Sequence, residues 1–276
     1  MTPETPETPE IPEIPENPDT NEPIEPNEPN EPTEPAETSA APEAPEPAEP
    51  TDTTEPNRQQ AEFRALLRSL RVVEGELPPF DPAAAPADPL PLFQRWLREA
   101  AEAGAPEPQT MTLATADATG APSVRIVMLH DADERGWHFG SHRTSRKGRD
   151  LAARPEAALG FYWAALGRQV RVQGTVTAAA PEESAADLHQ RSTGALAAAL
   201  VGRQSDVLGS CRELEEASAA AWERARREPN AQVDSWTLYV LAPTEVEFFQ
   251  RDADRRHVRL NYRLTDNGWT TELLWP

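Results

Sequence analysis

A hydroxyl group, two cations and a glycine follow one another in Ser145-Arg146-Lys147-Gly148, where a strand-like segment gives way to a helix-like one. The first N–H groups of a helix have no partner within the helix, so with two cations and a hydroxyl they suit a phosphate group. Lys147 is the only lysine of the chain, beside 25 arginines, which indicates a need for a compact, rotatable charge. The alternative interpretation is a solvated basic helix start.

Arg125 and His130 place polar groups at the two ends of an apolar strand, RIVMLH. Alternation along a strand predicts Arg125 and Val127 on one face and Ile126 and Met128 on the other. An arginine in such a strand needs an anionic partner, because an unpaired buried charge is costly. That partner is either an anionic ligand or a carboxylate of the fold.

Two weaker polar sites lie further along the chain. Gln169, in the strand-like GRQVRV, could offer its amide to a planar ligand. Gln204 and Ser205 belong to GRQS, a polar corner between predicted helices. Either site alone is also explained by surface polarity.

A basic cluster, RRHVR, follows the aromatic strand end VEFFQ near the carboxyl terminus. If it is a strand, Arg255, His257 and Arg259 share one face, which provides two cations and a titratable imidazole. An exposed basic strand end is the alternative.

The elements that must position these residues follow from periodicity and turn signals. Helices are predicted at 60–72, at 88–105 with Asp88 as N-cap and Gly104 at the end, at 145–153, and as a block over 181–228. Strands are predicted as three within 111–142, then at 157–165, 168–179, 234–249, 257–265 and 268–274. Short strands joined by turns, with helices clustered between them, favour a closed β-barrel decorated by helices.

The first 57 residues have a different composition from the rest. They contain 16 of the 30 prolines and 17 acidic residues, but no lysine, arginine or aromatic residue. Such a segment buries too little apolar surface to offset its ordering entropy, so residues 1–57 are expected to be a disordered acidic tail. The remaining 219 residues, 58–276, carry 26 basic and 30 acidic side chains and are expected to form one domain.

Composition also limits the partners and the compartment. Cys211 is the only cysteine, so no disulfide within the chain is possible and a reducing compartment fits. No apolar run approaches the roughly 18 residues of a membrane span, and no basic-then-apolar leader is present. A cytoplasmic protein without a metal ion, a membrane partner or a nucleic-acid partner is expected.

Taken in order, RIVMLH, SRKG, GRQVRV, GRQS and the terminal RxHxR resemble the pyridoxine/pyridoxamine 5′-phosphate oxidase family. The DPLPLFQRWLREA helix and the last strand before Pro276 resemble that family too, so the likeness covers about residues 60–276. It implies a mainly β protein with helices (α+β), an FMN-binding split β-barrel, and a homodimer with FMN between the subunits.

The resemblance also implies roles for individual residues. Those matching the family's FMN contacts are Arg125, Ile126, Val127, Met128, Gly140, Ser141, Arg146, Lys147, Gln169, Gln204, Ser205, Phe249 and Arg259, with Phe249 standing where tryptophan is usual. Those matching substrate contacts near the reacting carbon, and expected to be catalytic, are Arg255 and His257.

The chain departs from the family where the substrate phosphate is usually held by a lysine, a tyrosine, an arginine and a serine. Here those positions are His130, Asp187, Arg191 and Ala195, so only the arginine is retained. A family branch that acts in phenazine biosynthesis resembles this chain in having an altered phosphate site.

Three functions follow from the resemblance. The first is an FMN-dependent oxidase that converts pyridoxamine or pyridoxine 5′-phosphate to pyridoxal 5′-phosphate with dioxygen. The second is the same flavin chemistry on a ring without phosphate, such as a dihydrophenazine precursor. The third is a flavin-binding protein without turnover, against which the RxHxR cluster argues because flavin storage does not require it.

Overall fold

The structure, a computed structural model, describes residues 54–70 and 77–276. The chain divides into two units, Met1–Ala65 and Leu66–Pro276, and the second contains the sheet described below. Helix α1 (Thr54–Ser69) confirms the helix expected from residue 60 but begins earlier, so the expected tail boundary at residue 57 falls inside it. Pro56 does not prevent this, because a helix tolerates proline in its first turn. The expectation for the rest of the tail lies outside the described residues.

Helix α2 (Pro89–Glu102) confirms the predicted capped helix. The Asp88 carboxylate accepts a hydrogen bond of 2.7 Å from the Leu90 N–H, and the chain leaves the helix at Gly104, whose φ is +73°. One face of α2 is completely buried and consists of Leu92, Phe93, Trp96 and Ala100. The spacing of three and four residues is what places these side chains on one stripe.

Within residues 77–276 of the described chain, nine strands form a single antiparallel sheet: β1 (Thr110–Ala116), β2 (Pro122–Met128), β3 (Asp131–Asp133), β4 (Gly136–His142), β5 (Glu156–Trp163), β6 (Arg168–Ala178), β7 (Trp236–Gln250), β8 (Val258–Thr265) and β9 (Gly268–Leu273). The hydrogen-bonded order is β2-β1-β5-β6-β7-β4-β3, and β8 joins β7 to β9. The segment 111–142 therefore holds four strands rather than the predicted three.

The extra strand arises because the chain exchanges partners at Leu129 and His130. The Leu129 N–H donates to the carbonyl of Gln109, before β1, whereas the His130 N–H donates to the carbonyl of His138 in β4. The two ends of the hydrogen-bonded path, β2 and β3, do not pair with each other but are consecutive in the chain. The expectation of a closed barrel is thus corrected to a split barrel, in which the two residues between β2 and β3 join the ends of the path.

The barrel is filled by aromatic side chains from its strands and from α2. Phe93 contacts Trp137 and Phe161 with ring centroids 5.2 and 4.9 Å apart, and Trp96 contacts Phe248 at 5.2 Å. All three pairs are edge-to-face, the geometry that the ring quadrupoles favour. Helix α2 therefore seals the barrel interior, and ligand chemistry is restricted to the outer face and the rims.

The predicted helical block over 181–228 is three helices, α4 (Pro181–His189), α5 (Thr193–Val201) and α6 (Cys211–Arg227), which follow α3 (Arg146–Ala153). α5 ends at Gly202, whose φ of +72° suits glycine. A small separate core, made of Leu188, Leu196, Ala197, Ala199 and Ala225, holds the three helices together. The two breaks in the block carry Arg191 and the Gln204-Ser205 corner.

Candidate functional site

The start of α3 is built as the sequence predicts. The hydroxyl of Ser145, which is fully buried, accepts from the Gly148 N–H at 3.3 Å and donates to the His142 carbonyl at 2.7 Å. A Cβ at Gly148 would lie 2.4 Å from the Arg143 carbonyl oxygen, so only glycine fits there. This turn fixes the direction in which Lys147 leaves the helix.

Lys147 is buried, with 8% of its surface exposed. Its Nζ donates to the Ser141 hydroxyl at 3.2 Å and to the Gln204 side-chain oxygen at 2.8 Å, neither of which carries a charge. Burial, followed by repulsion from Arg125 and offset by Asp150, lowers the pKa of Lys147 to about 8. The ammonium therefore lacks the full counter-charge that would stabilise it.

The Gln204-Ser205 corner meets the same helix start. The Arg146 N–H donates to the Ser205 hydroxyl at 3.1 Å, and Ser205 has a φ of +77°, which is strained for a residue with a side chain. SRKG and GRQS, two separate motifs of the sequence, are thus in direct contact.

Arg125 reaches this region from β2. Its guanidinium donates to the Thr115 hydroxyl at 2.7 Å, the Ser123 hydroxyl at 2.9 Å and the Leu113 carbonyl at 3.2 Å. The buried Asp150 carboxylate lies 3.6 Å away and also accepts from Thr115. Both expected kinds of partner are therefore relevant, because two carboxylates of the fold, Asp150 and Asp117, do not balance the charges of Arg125, Arg146 and Lys147.

We call Arg125, Arg146 and Lys147 the cation cluster. Arg125 and Arg146 both repel any further positive charge here. Burial lowers the pKa of Arg125, attraction to Asp150 opposes this shift, and repulsion from Arg146 adds to it, so that the pKa lies below its ordinary value. A buried lysine and a half-buried arginine with depressed pKa values are stabilised by an anion. The arrangement is suited to binding a phosphate group.

A second group of side chains lies on the outer face of β6, β7 and β8 and in the turn that leads into β8. Phe249 stands opposite Gln169 on one side and Arg259 on the other. The Phe249 and His257 rings are 5.3 Å apart at 50°. We call Gln169, Phe249, His257 and Arg259 the outer-face group.

Arg259 is held by the buried carboxylate of Glu247. Its Nε and one terminal nitrogen donate to the two carboxylate oxygens, both at 2.9 Å, and the other donates to the Trp275 carbonyl at 2.7 Å. Arg171 also pairs with Glu247. Burial raises the pKa of Glu247, but the hydrogen bonds from Arg259 and Arg171 outweigh it, and the pKa lies below its ordinary value.

The expectation that Arg255, His257 and Arg259 share a strand face is wrong for the first two residues, because β8 begins at Val258. Arg255 lies in the preceding turn, with a φ of +62° and an exposed side chain. The His257 Nδ1 accepts from the Asp252 N–H at 3.0 Å, which makes Nε2 the protonated nitrogen of the neutral ring. The tight turn, rather than strand alternation, orients the imidazole.

The cation cluster and the outer-face group are separate within one chain. β1 and β5 lie between β2, which carries Arg125, and β6, which carries Gln169. Three strand spacings correspond to about 14 Å. Of the remaining expected contacts, Val127 packs inward, while Ile126 and Met128 are 66% and 48% exposed on the outer face.

Gly140 brings a third group close to Ser141. A Cβ at Gly140 would lie 2.4 Å from the Trp236 ring and 2.6 Å from the His130 ring, so glycine is needed for both rings to pack there. The His130 Nδ1 lies 2.9 Å from a carboxylate oxygen of Asp187, and Arg191 donates to the same oxygen at 2.7 Å. We call His130, Asp187 and Arg191 the Asp187 triad.

Trp236 completes the surroundings of this triad by donating from Nε1 to the other Asp187 oxygen at 3.4 Å. Burial raises the pKa of Asp187, but the hydrogen bonds from His130 and Arg191 lower it below its ordinary value. Ala195, in the first turn of α5, has no polar side chain to add. Three of the four positions of the expected phosphate site thus form an internal ion-pair network.

Two family models match the chain. Residues 97–233 match the model described as pyridoxamine 5′-phosphate oxidase, and residues 236–276 match the pyridoxine 5′-phosphate oxidase C-terminal dimerisation region. Named relatives extend the match over nearly their whole length. The pyridoxine/pyridoxamine 5′-phosphate oxidase of Salinibacter ruber is 44% identical over 192 residues, covering 68% of this chain and 89% of that protein. That of Thermosynechococcus vestitus is 40% identical over 216 residues, covering 78% and 98%.

The chain belongs to the pyridoxamine 5′-phosphate oxidase family.

Solved structures agree with this assignment. PhzG from Burkholderia lata 383, in complex with tetrahydrophenazine-1-carboxylic acid, has a TM-score of 0.68 and 32% identity, covering 75% of this chain and all of that one. A pyridoxamine 5′-phosphate oxidase-related, FMN-binding protein of Nostoc punctiforme has a TM-score of 0.56 at 18% identity, covering 67% and 97%, and shares the fold. The family fold is therefore the split barrel expected from the resemblance. In the part of the chain that the structure describes, no helix is long and apolar enough to cross a membrane.

Sequence reasoning missed several residues that hold the site together. Thr115 and Asp150 position Arg125, Glu247 positions Arg259, and Trp236 contacts Asp187. Glu247 had a signal, since a carboxylate within the aromatic strand VEFFQ needs a cationic partner. The others are ordinary in their local sequence and become recognisable only through contacts across the fold.

Proposed function

We propose that this protein is an FMN-dependent oxidase that converts pyridoxamine or pyridoxine 5′-phosphate to pyridoxal 5′-phosphate, with dioxygen as the electron acceptor. Family membership and the named relatives, which match over 89% and 98% of their length, support the reaction class. The observation that carries the cofactor is the cation cluster, in which three cations face two carboxylates, Asp150 beside Arg125, and Asp117, which attracts Arg146. FMN ends in a phosphate group, and these residues fit it.

The cation cluster would hold the FMN phosphate through charge-assisted hydrogen bonds from Arg125, Arg146 and Lys147, supported by the Ser141 and Ser205 hydroxyls. Gln204 now accepts from Lys147 and would keep the ammonium oriented while the phosphate balances its charge. Val127 lies on the inner face of the same strand, and its neighbours Ile126 and Met128 would contact the ring system from the outer face.

The protein is proposed to act as a homodimer. The outer-face group lies about three strands from the cation cluster within one chain. The match of residues 236–276 to a dimerisation region supports a second copy. An apolar outer face supports it as well, because Val124, Ile126 and Tyr162 are 63%, 66% and 67% exposed. Across such an interface, Gln169, Phe249 and Arg259 of one copy would meet the cation cluster of the other.

When bound, FMN would accept a hydride from the carbon beside the substrate ring and pass the electrons to dioxygen, giving hydrogen peroxide. His257 would orient the substrate. Its Nδ1 accepts from the Asp252 N–H, which leaves the Nε2–H to donate a hydrogen bond to the substrate. Arg255 would supply a positive charge from the strained turn. Arg259 would be kept in place by Glu247, and the closed interface would exclude water.

The direct test is turnover by the purified protein under air. Pyridoxamine 5′-phosphate should give pyridoxal 5′-phosphate, ammonia and hydrogen peroxide in equal amounts, and the protein should release FMN on denaturation. Arg259→Met should lower the flavin content, whereas Arg263→Met, four residues along the same strand and 59% exposed, should not. A protein that neither contains nor binds FMN would disprove the proposal.

A second candidate is the same flavin chemistry on a ring without phosphate, such as a dihydrophenazine precursor. The pairing of Arg191 with Asp187 favours it, because the one retained phosphate-site arginine already has an anionic partner. The similarity to PhzG also supports it. Turnover of a dihydrophenazine carboxylate with no turnover of either vitamer phosphate would make this the function.

A further inference from the structure

The Asp187 triad opens into a cavity of about 190 Å³ between the His130 strand end and α4. Two arginines line this cavity, and each is already paired with a carboxylate. Arg191 donates to Asp187 at 2.7 Å, and Arg135 pairs with Glu183 at 2.7 Å.

The two histidines of the cavity are engaged in the same way. His130 lies 2.9 Å from Asp187, and His138 lies 2.9 Å from Asp133. Three carboxylates, Asp131, Glu183 and Asp187, line the cavity against its two arginines. Apart from the two histidines, the lining therefore has one more carboxylate than arginine, which is unfavourable for a phosphate dianion.

Asp187 is the carboxylate closest to the centre of this network. Its side chain is 9% exposed and contacts His130, Arg191 and Trp236. Because its hydrogen bonds lower its pKa, it remains ionised at neutral pH. A phosphate ester that reaches Arg191 must either displace this carboxylate or lie beside it, and like charges at such distances repel strongly.

We propose that Asp187 is a specificity-determining residue that competes with the phosphate ester of the substrate for Arg191 and His130, so that the ester adds little to substrate affinity. This inference rests on the proposed function, because it assigns the cavity to the substrate of the flavin site. It predicts an enzyme that discriminates weakly between phosphorylated and unphosphorylated forms of the same ring.

The test is the ratio of two dissociation constants, that of 4-deoxypyridoxine divided by that of its 5′-phosphate, measured on the FMN-loaded protein by calorimetry. Neither compound carries the hydroxyl or amine that the reaction oxidises, so both bind without turnover. Asp187→Asn keeps the shape and removes the charge. The ratio should rise on the order of 10- to 100-fold, the equivalent of one charge-assisted hydrogen bond. The dissociation constant of 4-deoxypyridoxine should stay within about threefold, since uncharged contacts are unchanged.

Asp234→Asn is the matched control, since it removes the same charge from an exposed position two residues before Trp236 and should leave the ratio unchanged. If Asp187→Asn fails to fold, Asp187→Ser, which keeps an oxygen acceptor, carries the same prediction. An unchanged or lower ratio, or no binding of the ester by either variant, would overturn the inference. Binding is measured without turnover, so an inactive protein that still shows the rise would contradict the proposed function alone.

Discussion

At the scale of single residues, Lys147 makes cofactor affinity depend on pH. Its pKa of about 8 in the protein without a ligand means that the ammonium loses its proton as the pH rises through 8. The phosphate of FMN is already a dianion above about pH 7, since its second pKa is about 6, so it does not titrate in this range. We predict that the affinity for FMN is level from pH 7 to about 8 and falls above that.

The measurement is fluorescence titration of FMN with the protein freed of flavin, from pH 7 to 9.5. Lys147→Arg retains its charge throughout, because the pKa of arginine exceeds 12, and should abolish the decline above pH 8. Lys147→Met should weaken binding on the order of 10-fold or more at pH 7, and its difference from the wild type should narrow above pH 8, where the lysine loses its charge. A decline that persists in Lys147→Arg would show that another group is responsible.

Glu247 provides a second prediction at this scale. Glutamine has only one acceptor oxygen and no charge, so it cannot replace the two-oxygen contact with Arg259 and the pairing with Arg171. Glu247→Gln should therefore destabilise the protein by about 1–3 kcal/mol. Because the pKa of Glu247 is lowered on folding, this contribution is present above the unfolded pKa near 4.5 and is lost as the pH falls through the folded value.

Urea unfolding at pH 7 and at pH 4 would measure both parts of the prediction. Glu245→Gln on the same strand is the control, because Glu245 only approaches the exposed Arg263 at 3.7 Å and should cost much less. Equal losses for the two variants at pH 7 would contradict the role given to Glu247.

At the scale of elements, the turn from β3 to β4 depends on Gly136. Its φ is +137°, and a Cβ there would lie 1.9 Å from the Leu241 carbonyl oxygen of the neighbouring strand β7. Gly136→Ala should therefore force β4 and β7 apart, which would disturb Gly140 and Ser141 on the same strand. A loss of more than about 2 kcal/mol in the free energy of unfolding, with reduced flavin content, is expected.

Gly120→Ala isolates the backbone contribution. Gly120 also has a positive φ, +90°, but a Cβ there meets no atom within 4 Å, so about 1–2 kcal/mol is expected from strain alone. If both variants lose the same stability, the close approach of β4 and β7 does not require glycine.

At the scale of the whole molecule, the exposed apolar outer face carries the proposed homodimer. Ile126→Glu places a charge at the centre of that face, between Val124 and Met128, and should produce a monomer that no longer retains flavin. Light scattering after gel filtration measures the mass, and absorbance near 450 nm measures the flavin. Val207→Glu, at a 92% exposed position in another surface region, should leave both unchanged. A dimeric Ile126→Glu protein would move the interface elsewhere.

Local sequence determined the parts of this protein that depend on near neighbours. Hydrogen bonds within four residues produce the Asp88 cap and the start of α3 at Ser145. The spacing of three and four residues produces the buried stripe of α2. The order of motifs was enough to predict the family and the split barrel. The number of strands was missed because partner exchange at Leu129 and His130 depends on Gln109 and His138, which lie elsewhere in the chain.

Only the tertiary structure decided the state of the candidate substrate site. The sequence placed His130, Asp187 and Arg191 at matching positions, but an aspartate there could have faced solvent. In the fold, Gly140 admits the His130 and Trp236 rings, and α4 brings Asp187 against a residue 57 positions away. Burial then makes pairing obligatory, because an ionised carboxylate removed from water is stable only with cationic and hydrogen-bonding partners.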